Sequence, residues 1–202
     1  MLSRHARAMR GMTFIELVVT MAIGAMLIFA VAPDIGAWMR NLQVRNTGDT
    51  LLAGLQRARN EAVKRNTPVR FSLVSLNDPA TMDNTCAMSD TAGSWVVSML
   101  NPAGKCGVTN PALDPMIIDL HPIADGGRYA AITALQTDGV TAANSVTFDS
   151  FGRATTAGDI ARIDVRHATT ANSRPLRIVV TSGGSVRMCD PAVSNTSDPR
   201  KC

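Results

Sequence analysis

Aromatic side chains are scarce in this chain: five Phe, two Trp and one Tyr among 202 residues. A core built from it must be mainly aliphatic, and there is no interleaved set of rings on which single-stranded bases could stack. Histidine is rarer still. His5, His121 and His167 stand in no spacing that suits a metal ligand set or a catalytic triad. There is no Cys-x-x-Cys pair, no glycine-rich phosphate loop and no internal repeat. Asp83, Asp90, Asp114, Asp119 and Asp125 lack the spacing of a calcium loop and read as turn caps. No catalytic residue, metal, cofactor or small-molecule substrate is therefore expected, and the chain does not read as an enzyme. Charged residues make up 18%, too few for a histone-like basic protein. The length suits one domain with an appendage.

Charge is unevenly placed. Residues 1–11 carry Arg4, Arg7 and Arg10 with no acid, and residues 12–39 carry only Glu16 and Asp34. Residues 40–70 hold a local +5, residues 71–150 a local −6 and residues 151–202 a local +4. Within the second stretch, residues 12–32 form an apolar run with the single charge Glu16. As a helix it would be roughly 31 Å long, about one bilayer core. Basic residues ahead of it predict a cytoplasmic N-terminal side and an exported remainder. A cleaved secretory signal is the simple alternative, since Ala30-Val31-Ala32 fits a small-residue site. Pro33 directly after that site argues against it. Glu16 argues against an ordinary anchor, because a carboxylate at that depth is costly unless a cation meets it.

The stretch Gly11-Met12-Thr13-Phe14-Ile15-Glu16-Leu17 resembles the processing site of type IV prepilins. The resemblance implies cleavage after Gly11 by prepilin peptidase and N-methylation of Met12. Glu16 is then the fifth residue of the mature chain and Pro33 the twenty-second, where the family places its glutamate and its helix-bending proline. In that family the glutamate meets a neighbouring subunit's N-terminus, so Glu16 is implied in assembly. Three parts follow: a leader at 1–11, a transmembrane or filament-core helix at 12–39, and a periplasmic domain at 40–202.

Helical periodicity continues past Pro33. Leu51, Leu55, Ala58 and Ala62 recur on one face, with Leu52 and Val63 widening it. Asn66-Thr67-Pro68 ends the run, because proline disfavours helix in the residue before it. A helix from about Met12 to Asn66 would be on the order of 80 Å long. Its last turns, with the run Gln-Arg-Ala-Arg-Asn-Glu-Ala-Val-Lys-Arg closing at Arg65, resemble the same region of minor pilins and pseudopilins of the GspH/FimT type. Phe148-Asp-Ser-Phe-Gly-Arg153 and Gly184-Ser-Val-Arg-Met-Cys-Asp-Pro191 resemble that family too.

From Val69 the pattern changes to period two. Alternation over 69–73, 146–149, 161–166, 176–180 and 185–188, with an apolar run at 95–100, predicts half-buried antiparallel strands. Ser182-Gly183-Gly184-Ser185 is a hairpin signal. Residues 77–94 and 101–115 read as loops and 190–202 as a polar tail. The fold class expected is α+β and pilin-like: a long N-terminal helix whose second half packs on a twisted, mainly antiparallel sheet. Cys86, Cys106, Cys189 and Cys202 allow three pairings. Cys86–Cys106 is expected to pin a loop, and Cys189–Cys202 to tie the tail to the last strand, in an oxidising periplasm.

The function implied by the resemblance is structural. The chain would be a minor pilin-like subunit near the tip of a type IV pilus, priming or adapting assembly with other pilins. An H-type pseudopilin of the type II secretion system shares these features. Its place would be the inner membrane, single-pass with the C-terminal domain outside, and then the filament. A third reading is DNA binding. Arg162, Arg166, Arg177 and Arg187 would form a basic sheet face, with Arg200 and Lys201 adding charge in the tail. DNA-binding relatives carry Gly-Arg-x-Arg near the last strand. The matching stretch here is Gly184-Ser185-Val186-Arg187, without the first arginine. Removal of the leader would leave 17 basic side chains against 16 acidic, so most of the net +4 marks orientation.

Overall fold

A computed structural model describes residues 12–154, 158–169 and 173–202, with the backbone alone at 30–34. The leader at 1–11, Gly11 included, lies outside the described residues. The chain divides into two compact units, Met1–Trp38 and Met39–Cys202. A single helix, α1, is bounded by Phe14 and Arg65. Pro33 falls inside those bounds, and its side chain is outside the described residues.

In the first unit, α1 begins with a side-chain N-cap. Thr13 supplies the cap: its Oγ1 accepts the main-chain N–H of Glu16 at 3.3 Å, and its carbonyl accepts that of Leu17 at 3.2 Å. Apolar side chains from Met12 to Phe29 are largely exposed and occur on every side of the helix. Among the described residues, no helix is long and apolar enough to cross a membrane. The described side chains of the apolar stretch stop at Phe29, 16 positions into α1. A spanning helix needs about 20.

In the second unit, α1 is amphipathic. Val44, Thr47, Leu51, Leu55, Ala58 and Ala62 form a buried stripe, while Val63, expected on that stripe, is 51% exposed. The helix ends in a Schellman motif. The Thr67 N–H donates to the Ala62 carbonyl at 3.2 Å and the Asn66 N–H to the Val63 carbonyl at 3.3 Å, with Asn66 at φ 51°. Asparagine tolerates that left-handed backbone, and Pro68 then prevents continuation.

Among the described residues, the strands form two antiparallel sheets. They are β1 (Val69–Ser75), β2 (Ala87–Met88), β3 (Ser94–Ser98), β4 (Ile117–His121), β5 (Ala130–Leu135), β6 (Ser145–Phe148), β7 (Arg162–His167), β8 (Leu176–Val180) and β9 (Val186–Cys189). The first sheet runs β2-β1-β3-β4, and β6 also pairs with β1. The second runs β5-β7-β8-β9. The fold is thus α+β, with the strands divided between two sheets rather than one. β2 lies inside the expected loop 77–94, and β4 and β5 carry no clear alternation in sequence.

The main core joins the α1 stripe to one face of both sheets: Val69, Phe71, Leu73, Trp95, Val97, Val146 and Phe148 from the first, and Ile132, Ile163, Val165 and Ile178 from the second. Gly54 sets the depth of this packing. A Cβ there would lie 2.8 Å from the Phe71 ring and 2.9 Å from the Trp95 indole. A second, smaller cluster covers the other face of the first sheet, with Val74, Val96 and the Cys86–Cys106 disulfide. Burial on both faces explains why β1 and β3 show little exposed alternation.

Candidate functional site

Glu16 stands exposed in the first turn of α1, where a carboxylate also suits the helix dipole. Met12, two residues before α1, is 69% exposed. The described part of the first unit therefore offers a bare apolar helix with one acid near its start. The capping role of Thr13 went unread in the sequence, although a threonine just ahead of an apolar helical run is its signal.

The cysteines pair as Cys86–Cys106 and Cys189–Cys202. The second bond draws the end of the tail back to β9. Asp190 and Lys201 form a parallel bridge there, and the Asp190 N–H donates to the Arg200 carbonyl at 2.7 Å.

The six cationic residues assigned to a basic face separate into three groups. In the second sheet, register places Arg162, Val179 and Arg187 in one row and Asp164 and Arg177 in the next. Their inward neighbours Ile163, Val165 and Ile178 belong to the core, so these residues occupy the outer face. Arg177 holds Asp164 in a fork, Nε to Oδ1 at 2.6 Å and Nη2 to Oδ2 at 3.2 Å. The Arg162 Nε lies 3.2 Å from Asp164 Oδ2, misaligned for a hydrogen bond, and its Nη2 donates to the Gly139 carbonyl at 3.1 Å. Gly139 has φ +72°, and a Cβ there would meet the Arg162 Nη1 at 3.3 Å. Glycine thus allows both the turn and the approach of the guanidinium. Arg187 donates to the main-chain oxygens of Lys201 and Cys202 at 3.3 and 3.4 Å. These three arginines border one cleft of about 310 Å³, together with Gln136, Thr137, Gly139, Ala161, Val179 and Cys202.

Arg166 is exposed on the same face and does not line the cleft. Arg200 is taken up locally. Its Nη2 lies 2.7 Å from Asp198 Oδ2, and its side-chain and main-chain hydrogen bonds hold the Asp198 carboxyl down at about 2. The main chain of Lys201 is held in the bridge to Asp190, which leaves its side chain unassigned. The 136–139 turn completes the cleft and Asp164 pairs with two of its arginines, and neither the turn nor the pairing was read from the sequence. No local motif marks them, because cross-strand register and a distant turn bring them together. Among the described residues, no group of His, Cys, Asp and Glu is arranged to hold a metal ion.

A second charged cluster lies on α1. The Glu61 side chain is only 7% exposed, with Arg65 Nε at 2.7 Å and Arg57 and Lys64 nitrogens at 3.8 Å. The Arg65 hydrogen bond is the leading cause that holds its carboxyl below the ordinary value. Burial opposes it, and the charges of Lys64, Arg65 and Arg57 add to it.

The family profile described as type II transport protein GspH matches residues 47–184. Two crystal structures of the type IV minor pilin FimU from Pseudomonas aeruginosa (strain PAO1) are similar in structure. The one in space group P65 is 13% identical, with a TM-score of 0.44, covering 76% of this chain and 98% of that one. The one in space group P21 is 15% identical, with a TM-score of 0.45, covering 76% of this chain and 93% of that one. No curated protein matches the sequence.

Proposed function

We propose that this chain, which belongs to the family described as type II transport protein GspH, is a pilin-like structural subunit of a type IV pilus. In this reading it is a minor component near the tip that primes or adapts assembly. The observation that carries the reading is the first-unit helix. Its apolar side chains are exposed on every side from Met12 to Phe29, and water is a poor solvent for such a surface. Lipid covers it before assembly, and neighbouring subunit helices cover it in the filament. The prepilin-type site supports cleavage after Gly11 by prepilin peptidase and methylation of Met12. The new ammonium of one subunit and the Glu16 carboxylate of another then relieve each other's desolvation.

A role as an H-type pseudopilin of a type II secretion system is the second reading, and the description of the family favours it. Deletion separates the two. Loss of surface pili marks the first, and retention of exported proteins in the periplasm marks the second.

The assembly role is tested with Glu16→Gln, which keeps the shape while removing the charge. The variant is expected to stay in the membrane fraction and to be absent from sheared filaments. Incorporation at the wild-type level would overturn the role of Glu16. Nucleic-acid binding has weaker support, since Asp164 neutralises part of the arginine cluster and Asp198 occupies Arg200.

A further inference from the structure

The cleft on the outer face of the second sheet carries more cationic than anionic side chains, with main-chain oxygens of Lys201 and Cys202 facing one of the cations, Arg187. Three guanidinium groups, of Arg162, Arg177 and Arg187, border it, and Asp164 is the one side-chain carboxylate they share. Counting side chains, that leaves two positive charges in a recess of about 310 Å³. The hydrogen bonds among the described residues engage Arg177 through Nε and Nη2 and Arg162 through Nη2, and engage Arg187 only at 3.3 and 3.4 Å. Donors on all three arginines remain for an incoming acceptor. Ala161 and Val179 supply apolar wall between the charges.

We propose that this cleft seats a carboxylate side chain of a neighbouring polypeptide in the assembly. Guanidinium forks match a planar carboxylate, and the apolar wall accepts its methylene stem. Asp164 selects among anions. It lies inside the cluster, so it penalises a doubly charged phosphate more than a singly charged carboxylate. A nucleic-acid strand would also need a tract of cations beyond the cleft. Arg200 is committed to Asp198 and Arg153 to Asp149 at 2.8 Å, so that Arg166 stands as a single exposed charge beside the cleft rather than as part of a tract. The inference rests on the proposed subunit role for the source of the carboxylate, and on the cleft alone for its chemistry.

The test uses the purified full chain in detergent and a fluorescein-labelled hexaglutamate peptide, followed by anisotropy at low ionic strength. Wild type should bind saturably. Arg187→Gln should weaken binding about five- to tenfold, as expected for one partly exposed charge-assisted contact. Arg166→Gln, an exposed charge outside the cleft, should change it less than about twofold. Thr137→Asp, on the exposed rim turn, is a second probe that leaves the sheet untouched, and it should weaken binding as much as Arg187→Gln. Inorganic phosphate and an oligothymidine are the competitors, and both should displace the peptide poorly. Absence of saturable binding, equal losses in Arg166→Gln and Arg187→Gln, or tighter oligothymidine binding with the same Arg187 dependence would each overturn the proposal. The result is independent of filament assembly. Missing peptide binding refutes the cleft whatever Glu16→Gln does, and normal incorporation of Glu16→Gln refutes the subunit role whatever the peptide does.

Discussion

Glu61 is a buried acid on a helix face that carries mainly aliphatic residues, and removing its charge tests the balance that keeps it there. The perturbation is Glu61→Gln, which keeps the shape and leaves one oxygen for Arg65. Wild type has a hydrogen bond of 2.7 Å to Arg65 and two longer ion pairs at 3.8 Å to Arg57 and Lys64. A shielded hydrogen bond to a charged group contributes about 1.5–3 kcal/mol, and exposed helix pairs about 0.3–0.5 each. The Arg65 side chain is 46% exposed, so solvent screens the first figure heavily. Glutamine retains part of the bond, and the expected net loss is about 1 kcal/mol, or about 2–4 °C in midpoint for a domain of this size. The pH dependence fixes the sign. The folded carboxyl titrates below its ordinary 4.5, so its stabilisation is present above that value and is lost as pH falls through the folded pKa. Thermal unfolding of wild type and variant, read by near-ultraviolet circular dichroism, should show the gap at neutral pH and its progressive closure as pH falls below 4.5. Equal midpoints at neutral pH would refute the ion-pair account. A gap unchanged in acid would show that packing, not charge, is the cause.

Two further perturbations test the packing and the tail. Gly54→Leu should prevent the native fold or cost more than about 3 kcal/mol, because even a Cβ at that site meets the Phe71 and Trp95 rings; native-like urea unfolding of the variant would contradict the close helix–sheet contact. Cys202→Ser opens a loop with a sequence separation of 13 and should cost about 3 kcal/mol in the chain-entropy model. It should also make the tail susceptible to limited proteolysis, and an unchanged cleavage pattern would show that the tail is held without the bond.

Legibility in the sequence followed exposure. β7, β8 and β9 have one wet face, so Arg162, Asp164, Arg166, Arg177 and Arg187 alternate visibly with Ile163, Val165 and Ile178. β1 alternates in sequence over 69–73, but α1 covers one side and the Cys86–Cys106 cluster the other, so its exposure does not alternate and Ser72 is buried with its neighbours. β5 is Ala-Ala-Ile-Thr-Ala-Leu, a composition with low strand preference, and only its pairing along β7 makes it a strand. β4 is partly buried at every position and has no period to read. The end of α1 was legible because Asn66 and Pro68 act locally. Glu61 falls three positions after Ala58, on the apolar face, so the helical period alone marks it for burial. The cleft was half legible: alternation put its arginines on one face, but which of them converge depends on register and on the Gly139 turn.

That register also changes what the basic residues can mean. In sequence, Arg162, Arg166, Arg177, Arg187, Arg200 and Lys201 read as one pool of charge on the last sheet and tail. In the fold, Arg200 is committed to Asp198, Arg166 stands apart from the cleft, and Asp164 sits among the remaining three arginines. A long polyanion gains from many separate phosphate contacts, and its affinity grows with their number. A single carboxylate gains from a few donors held in one recess, where an internal acid can tune the net charge. The second arrangement is the one the strands build. A neighbouring subunit with an acidic side chain is then a better match than a nucleic acid, and the same logic separates two surfaces of one assembling protein. The apolar helix gives association without direction, whereas a small charged seat fixes orientation and choice of neighbour.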